Sequence, residues 1–197
     1  MDNFNLNISI GKDNIMVKGL ILLANGFEDT EAITTIDILR RAKLDLDLVS
    51  VHQQLEILTQ SKMNIKAEKL LQEINLDDYD FLVIPGGGAV FNVLSKLEVV
   101  NEVIKEFDHK KKLIAAICAA PSLLGKLGLF KNLEFTCYPS CEEGIDGIYT
   151  AKGVEIHKNY ITAKSMAYTV DFALEIVSYL LGEKAKVTVS NAIYAKK

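Results

Sequence analysis

Three short apolar runs set the fold problem for this chain. They are VKGLILLA (17–24), FLVI (81–84) and LIAAI (113–117), and each stops at small residues: Asn25-Gly26, Pro85-Gly86-Gly87-Gly88 and Cys118-Ala119-Ala120. Runs this short and uniformly apolar suit strands buried on both faces. Each leads into residues at helical spacing. From Glu28 to Lys43 the apolar positions are Ala32, Ile33, Ile36, Leu39 and Ala42, one side of a helix. Glu28 and Asp29 fall in its first turn and Arg40, Arg41 and Lys43 in its last, as the helix dipole prefers. Residues 90–108 show helical spacing broken near Leu97-Glu98. Ala119–Leu127 and Val170–Leu181 read as further helices, the second closed by Gly182. Leu46–Val51, 133–137 and 154–163 read as further strands, with a less regular stretch up to about Leu71. This alternation predicts right-handed βαβ units, hence an α/β fold with a parallel sheet covered on both faces. Ligands in such sheets bind beyond the carboxyl ends of the strands.

At 197 residues and 49% apolar content the chain can bury a substantial core. We expect one domain over residues 16–197, preceded by a polar, Asn-rich appendage at 1–15. Twenty-two basic against 26 acidic side chains leave a net charge of -4, which argues against a nucleic-acid binder. Lys110, Lys111 and Lys112 read as a solvated turn. No apolar run reaches the ~18–20 residues of a membrane span. The start lacks a basic segment followed by an apolar one, so no secretory signal is expected. Three cysteines exclude a disulfide scaffold and favour a reducing cytoplasm.

The chemistry is expected at the three strand ends. Cys118 follows its strand directly and precedes helix-prone residues, the strand–nucleophile–helix layout of a nucleophile elbow, with Ala in place of the usual flanking Gly. A helix N-terminus there would lower the thiol pKa; the alternative is a buried structural cysteine. Gly86, Gly87 and Gly88 can turn backbone N–H groups into a cavity, as an oxyanion hole requires, or form a plain turn. Glu31 sits just inside the first helix. Beside a thiol, partial burial would raise its pKa and let it donate a hydrogen bond to sulfur; otherwise it is an ordinary acidic first turn.

Taken together, GFEDTEAITTIDILRRA (26–42), FLVIPGGG (81–88), LIAAICAAP (113–121), TCYP (136–139) and DFALEIVSYLLG (171–182) resemble the ThiJ/PfpI superfamily, in particular its DJ-one-like branch. The resemblance implies a flavodoxin-like three-layer sandwich with a mainly parallel sheet, the elbow following a central strand, and a homodimer. It implies that Cys118 is the reactive, oxidation-sensitive cysteine and Glu31 its hydrogen-bonding partner. It also implies that the N–H groups of Gly87 and Ala119 form the oxyanion or anion pocket, with Gly86 and Tyr138 as further pocket residues. Activities of such proteins include cofactor-independent glyoxalase or deglycase action on small reactive carbonyl compounds, peptidase and chaperone activity and oxidative-stress sensing, and some carry a thiamine-pathway label. No cofactor or metal is implied.

Two departures narrow the reading. Peptidase members place His directly after the nucleophile, where this chain has Ala119, so a Cys-His pair is missing. Several DJ-one-like members place His before Pro where this chain has Tyr138. His52, His109 and His157 fall outside the motifs, which leaves Glu31 as the expected base. Cys137 and Cys141 make a poor zinc site; Cys137 is a candidate resolving thiol or pocket residue, or an incidental one. The expected function is stress protection against small aldehydes. A non-catalytic redox sensor or chaperone is the alternative, and a cysteine peptidase or amidase the weaker one.

Overall fold

The computed structural model describes residues 16–195; the proposed appendage at 1–15 lies outside them. The apolar runs form β1 (Lys18–Leu23), β6 (Phe81–Ile84) and β7 (Leu113–Ile117). Between β1 and β6 lie α1 (Asp29–Arg41), β2 (Asp45–Ser50), β3 (Glu56–Leu58), β4 (Asn64–Lys66) and β5 (Lys69–Leu70). Between β6 and β7 lie α2 (Ala89–Asn92) and α3 (Glu98–His109). After β7 come α4 (Pro121–Lys126), β8 (Glu134–Phe135), β9 (Ile148–Tyr149), β10 (Val154–His157) and β11 (Tyr160–Ala163). The described chain ends with α5 (Thr169–Leu181) and α6 (Glu183–Ala192).

The main sheet has seven strands in the order β10-β11-β7-β6-β1-β2-β5. Its pairings are parallel except at the edge, where β10 runs antiparallel to β11. The chain steps outward in one direction from β1 to β2 and in the opposite direction from β6 to β7. Right-handed crossovers therefore put α1 and α3 on opposite faces, and α5 packs against α1. The gap between β1 and β6 is the switch point where such sheets open a crevice. Every residue of β6 and β7 is buried, as is β1 after Lys18, which explains their unbroken apolar runs.

Four expectations change. The segment 154–163 is a hairpin rather than one strand, because Lys158 takes φ 55° and reverses the chain. The strand expected at 133–137 is only Glu134–Phe135. The helix expected from Ala119 begins at Pro121, because Cys118 to Ala120 form the turn and proline suits the first helical position. The irregular stretch up to Leu71 contains the β3–β4 hairpin, a separate two-stranded sheet. Helix α6 was not expected; Val189 is its one buried residue, so its sequence carries little apolar periodicity.

Candidate active site

The three strand ends meet at one rim. At the end of β7, Cys118 adopts φ 63°, a left-handed conformation that costs a non-glycine residue roughly 1–3 kcal/mol. Such strain persists only where neighbours over-determine it. Here the Cys118 N–H donates to Ala163 O at 2.9 Å, and its carbonyl accepts from the Tyr138 N–H at 2.8 Å. The turn is closed by Ala120 N–H donating to Ile117 O at 3.0 Å. Small side chains at Ala119 and Ala120, both buried, leave room for it.

Two of the glycines after β6 are required, each for its own reason. A Cβ on Gly86 would stand 2.6 Å from Cys118 Cβ and 2.7 Å from Glu31 Oε2. Gly87 has φ 88°, and its Cβ would lie 2.5 Å from Glu28 N. This close approach ties the loop to the start of α1: Phe27 bridges Gly87, and the Glu28 N–H donates to Gly86 O at 3.1 Å.

Glu31 is presented by the first turn of α1. Glu28 caps that helix, its Oε2 accepting from the Glu31 N–H at 2.6 Å. The Glu31 side chain is only 1% exposed. Its Oε2 accepts from the Gly86 N–H at 2.8 Å, while the buried Oε1 has no hydrogen-bond partner among the described residues. Burial, assisted by the charge of Glu28, raises its pKa to about 7 against the opposing pull of the Gly86 N–H and Cys118. That agrees in direction with the expectation for a buried carboxyl beside a thiol.

Cys118 departs from expectation. Burial first, and then the negative charge of Glu31, push its thiol up, whereas the N–H groups of Ala119 and Gly87 favour the thiolate and pull it down. The helix beyond the turn has six residues, too little to reverse the balance. The two groups titrate as a pair. Glu31 Oε1 lacks a donor, and the sulfur faces two N–H groups. Oε1, the oxygen without a donor, is therefore the carboxyl oxygen able to take up and return a proton beside the sulfur.

Both groups open into a cavity of about 500 Å³ that Gly87, Ala119 and Tyr138 also line. Gly86 is not on its wall; it is buried behind Glu31, where it supplies the N–H described above. The sequence reading did not identify Glu28, Gln60 or Phe91 as lining residues, nor Cys141 and the segment Ser165–Ala167. Gln60 enters from the β3–β4 hairpin, its Oε1 accepting from the Gly88 N–H at 2.8 Å. That hairpin is fastened to α1 by Ser61, which donates to Asp29 from its N–H at 3.1 Å and its hydroxyl at 2.6 Å. Cys137 is wholly buried and away from the cavity wall, which corrects its candidacy as a pocket residue; Cys141 lines the cavity instead.

The histidines are engaged elsewhere. His157 Nδ1 accepts from the Glu134 N–H at 3.1 Å, His52 Nε2 from the Asn25 N–H at 2.9 Å, and His109 ends α3. None lines the cavity, so the peptidase reading finds no imidazole base. No described helix is long and apolar enough to cross a membrane.

The family model described as the DJ-1/PfpI family matches residues 17–179. Protein DJ-1alpha of Drosophila melanogaster is 32% identical over 186 residues, which span 92% of this chain and 86% of that protein. Protein DJ-1 homolog B of Arabidopsis thaliana is 32% identical over 190 residues, 95% of this chain but 43% of its own longer length. Among solved structures, a DJ-1 superfamily protein from Salmonella typhimurium superposes with a TM-score of 0.87 at 30% identity, covering 92% of this chain and 100% of that one. Fold, motif order and relatives agree, and the chain belongs to the DJ-1/PfpI family.

Proposed function

We propose that the protein converts small 2-oxoaldehydes to 2-hydroxy acids by a cofactor-independent, cysteine-dependent glyoxalase-type reaction. The observation that carries this reading is the buried Glu31 carboxyl, with a pKa of about 7 and an unpaired Oε1, beside the strained Cys118. A group poised near neutrality is suited to both accept and return a proton.

In this reaction the Cys118 sulfur bonds to the aldehyde carbon, and the carbonyl oxygen takes up the proton to give a hemithioacetal. The N–H groups of Gly87 and Ala119 stabilise the developing oxyanion. Glu31 then removes the proton from the former aldehyde carbon, forming an enediol, and delivers it to the neighbouring carbon. The result is a 2-hydroxyacyl thioester on Cys118. Water cleaves the thioester, releasing the hydroxy acid and restoring the thiol. Methylglyoxal plus water thus gives lactate, with no net oxidation. The same reading takes the protein as a cytoplasmic homodimer.

The test is lactate formation from methylglyoxal by the purified protein and by Cys118→Ala. Cys118-dependent turnover is the expected result, and equal slow rates from both proteins would refute it. Absence of turnover, combined with peroxide oxidation of Cys118 ahead of Cys137 and Cys141, would transfer the site to the redox-sensor reading.

A further inference from the structure

We propose that this site selects uncharged 2-oxoaldehydes carrying an apolar or aromatic substituent and discriminates against those bearing a carboxylate or phosphate. The inference deepens the reading of Cys118 as the group that adds to small aldehydes, and rests on it. Its first observation is charge. Among the described residues, the charged side chains lining the cavity are Glu28 and Glu31, and no lysine, arginine or histidine joins them. Lys126 acts on Cys141 but is not on the wall, and Lys164 turns its Nζ to Ala151 O at 3.4 Å. An anionic substrate would therefore meet carboxylate charge with no counter-charge on the wall, a repulsion strengthened by the low local dielectric.

The second observation is the apolar rim. Phe91, Tyr138 and Met166 come from three separate segments, the short helix α2, the return from the elbow and the loop after β11. All three line the cavity while remaining 50%, 51% and 50% exposed. Large apolar side chains left half open around a concave site are suited to covering a ligand's apolar surface. A three-carbon aldehyde would occupy a small part of the roughly 500 Å³ available. The carbonyl end is directed to the sulfur and its backbone N–H groups, which places the substituent towards the rim.

Two measurements test this separately from turnover. The first compares kcat/KM for phenylglyoxal, methylglyoxal and a phosphorylated 2-oxoaldehyde, each normalised to its reaction with N-acetylcysteine. Phenylglyoxal is expected to lead methylglyoxal by about tenfold or more, as burial of an apolar group in a pocket allows. The phosphorylated compound is expected to trail methylglyoxal by a similar factor. Phe91→Ala should remove most of the phenyl advantage, and Glu28→Gln should relax the discrimination against phosphate.

The second measurement uses alkylation of Cys118, read by mass spectrometry, with iodoacetamide, iodoacetate and N-phenyl iodoacetamide, again normalised to the free thiol. The expected order is phenyl, then neutral, then anionic, with the phenyl gain lost in Phe91→Ala. If no aldehyde is turned over but this order holds, the glyoxalase reading fails and the selectivity stands. If iodoacetate keeps its free-thiol ratio to iodoacetamide, or the phenyl gain survives in both Phe91→Ala and Tyr138→Ala, the selectivity is overturned.

Discussion

At the scale of single residues, the pairing of Glu31 with Cys118 governs how the site responds to pH. If the shared proton rests on Glu31, thiolate absorbance near 240 nm rises in a first step near pH 7, where the buried carboxyl is poised. A spectrum that stays flat until well above pH 10 would put the proton on sulfur and remove Glu31 from its proposed role. The same shift has a consequence for stability. The folded protein holds the Glu31 proton more tightly than the unfolded chain does, so stability falls as pH rises from about 4.5 to about 7 and is level above that. The full penalty is about 3 kcal/mol. Glu31→Gln keeps an acceptor for the Gly86 N–H and cannot ionise. It should exceed wild type in urea stability at pH 8, with the difference shrinking towards pH 5. A pH-independent difference would contradict the assignment. Glu31 and Cys118 were both legible in the sequence as types at strand ends. The thiol's response was not, because it depends on burial and on a carboxyl 87 positions away in the chain.

At the scale of elements, the site is a set of close approaches between turns. At Gly86 any side chain meets both reactive groups. Gly86→Ala should cost roughly 1–3 kcal/mol through overpacking and slow Cys118 alkylation by iodoacetamide, both measured against wild type. A variant of unchanged stability and reactivity would mean that the loop moves aside freely. The three motif-bearing turns were legible because each joins a uniformly buried strand to a helix, and the short-run pattern marks the junction. The β3–β4 hairpin was not. Its strands have three residues each and are mostly exposed, so they carry no clean alternation, yet Gln60 reaches the cavity from between them. The segment Ser165–Ala167 gave no signal either, since a loop's place over a distant elbow leaves no periodicity.

At the scale of the whole molecule, the switch point between β1 and β6 brings Glu31, Gly86 and Cys118 together from three units of the sheet. The close pairing of those two strands depends on Gly19, which lies opposite Phe81 in the register. A Cβ on Gly19 would stand 2.1 Å from the Phe81 ring. Gly19→Ala is expected to destabilise the protein by about 1–3 kcal/mol. Adding Phe81→Leu should recover part of that loss, a coupling that a double-mutant cycle in urea measures. Strictly additive effects would show that the ring does not rest on the glycine.

The sequence by itself determined the α/β class, the central strands and the identity of the elbow cysteine, because burial on both faces and the demands of tight turns act locally and leave residue patterns. Only the tertiary structure decided which groups share the cavity, that the described residues on its wall include carboxylates and no cation, and that the Cys118 thiol is pushed up while Glu31 is poised near 7. Those properties arise from desolvation and from charges brought close by the fold. Residues far apart in the chain carry no mark of that proximity until the sheet assembles.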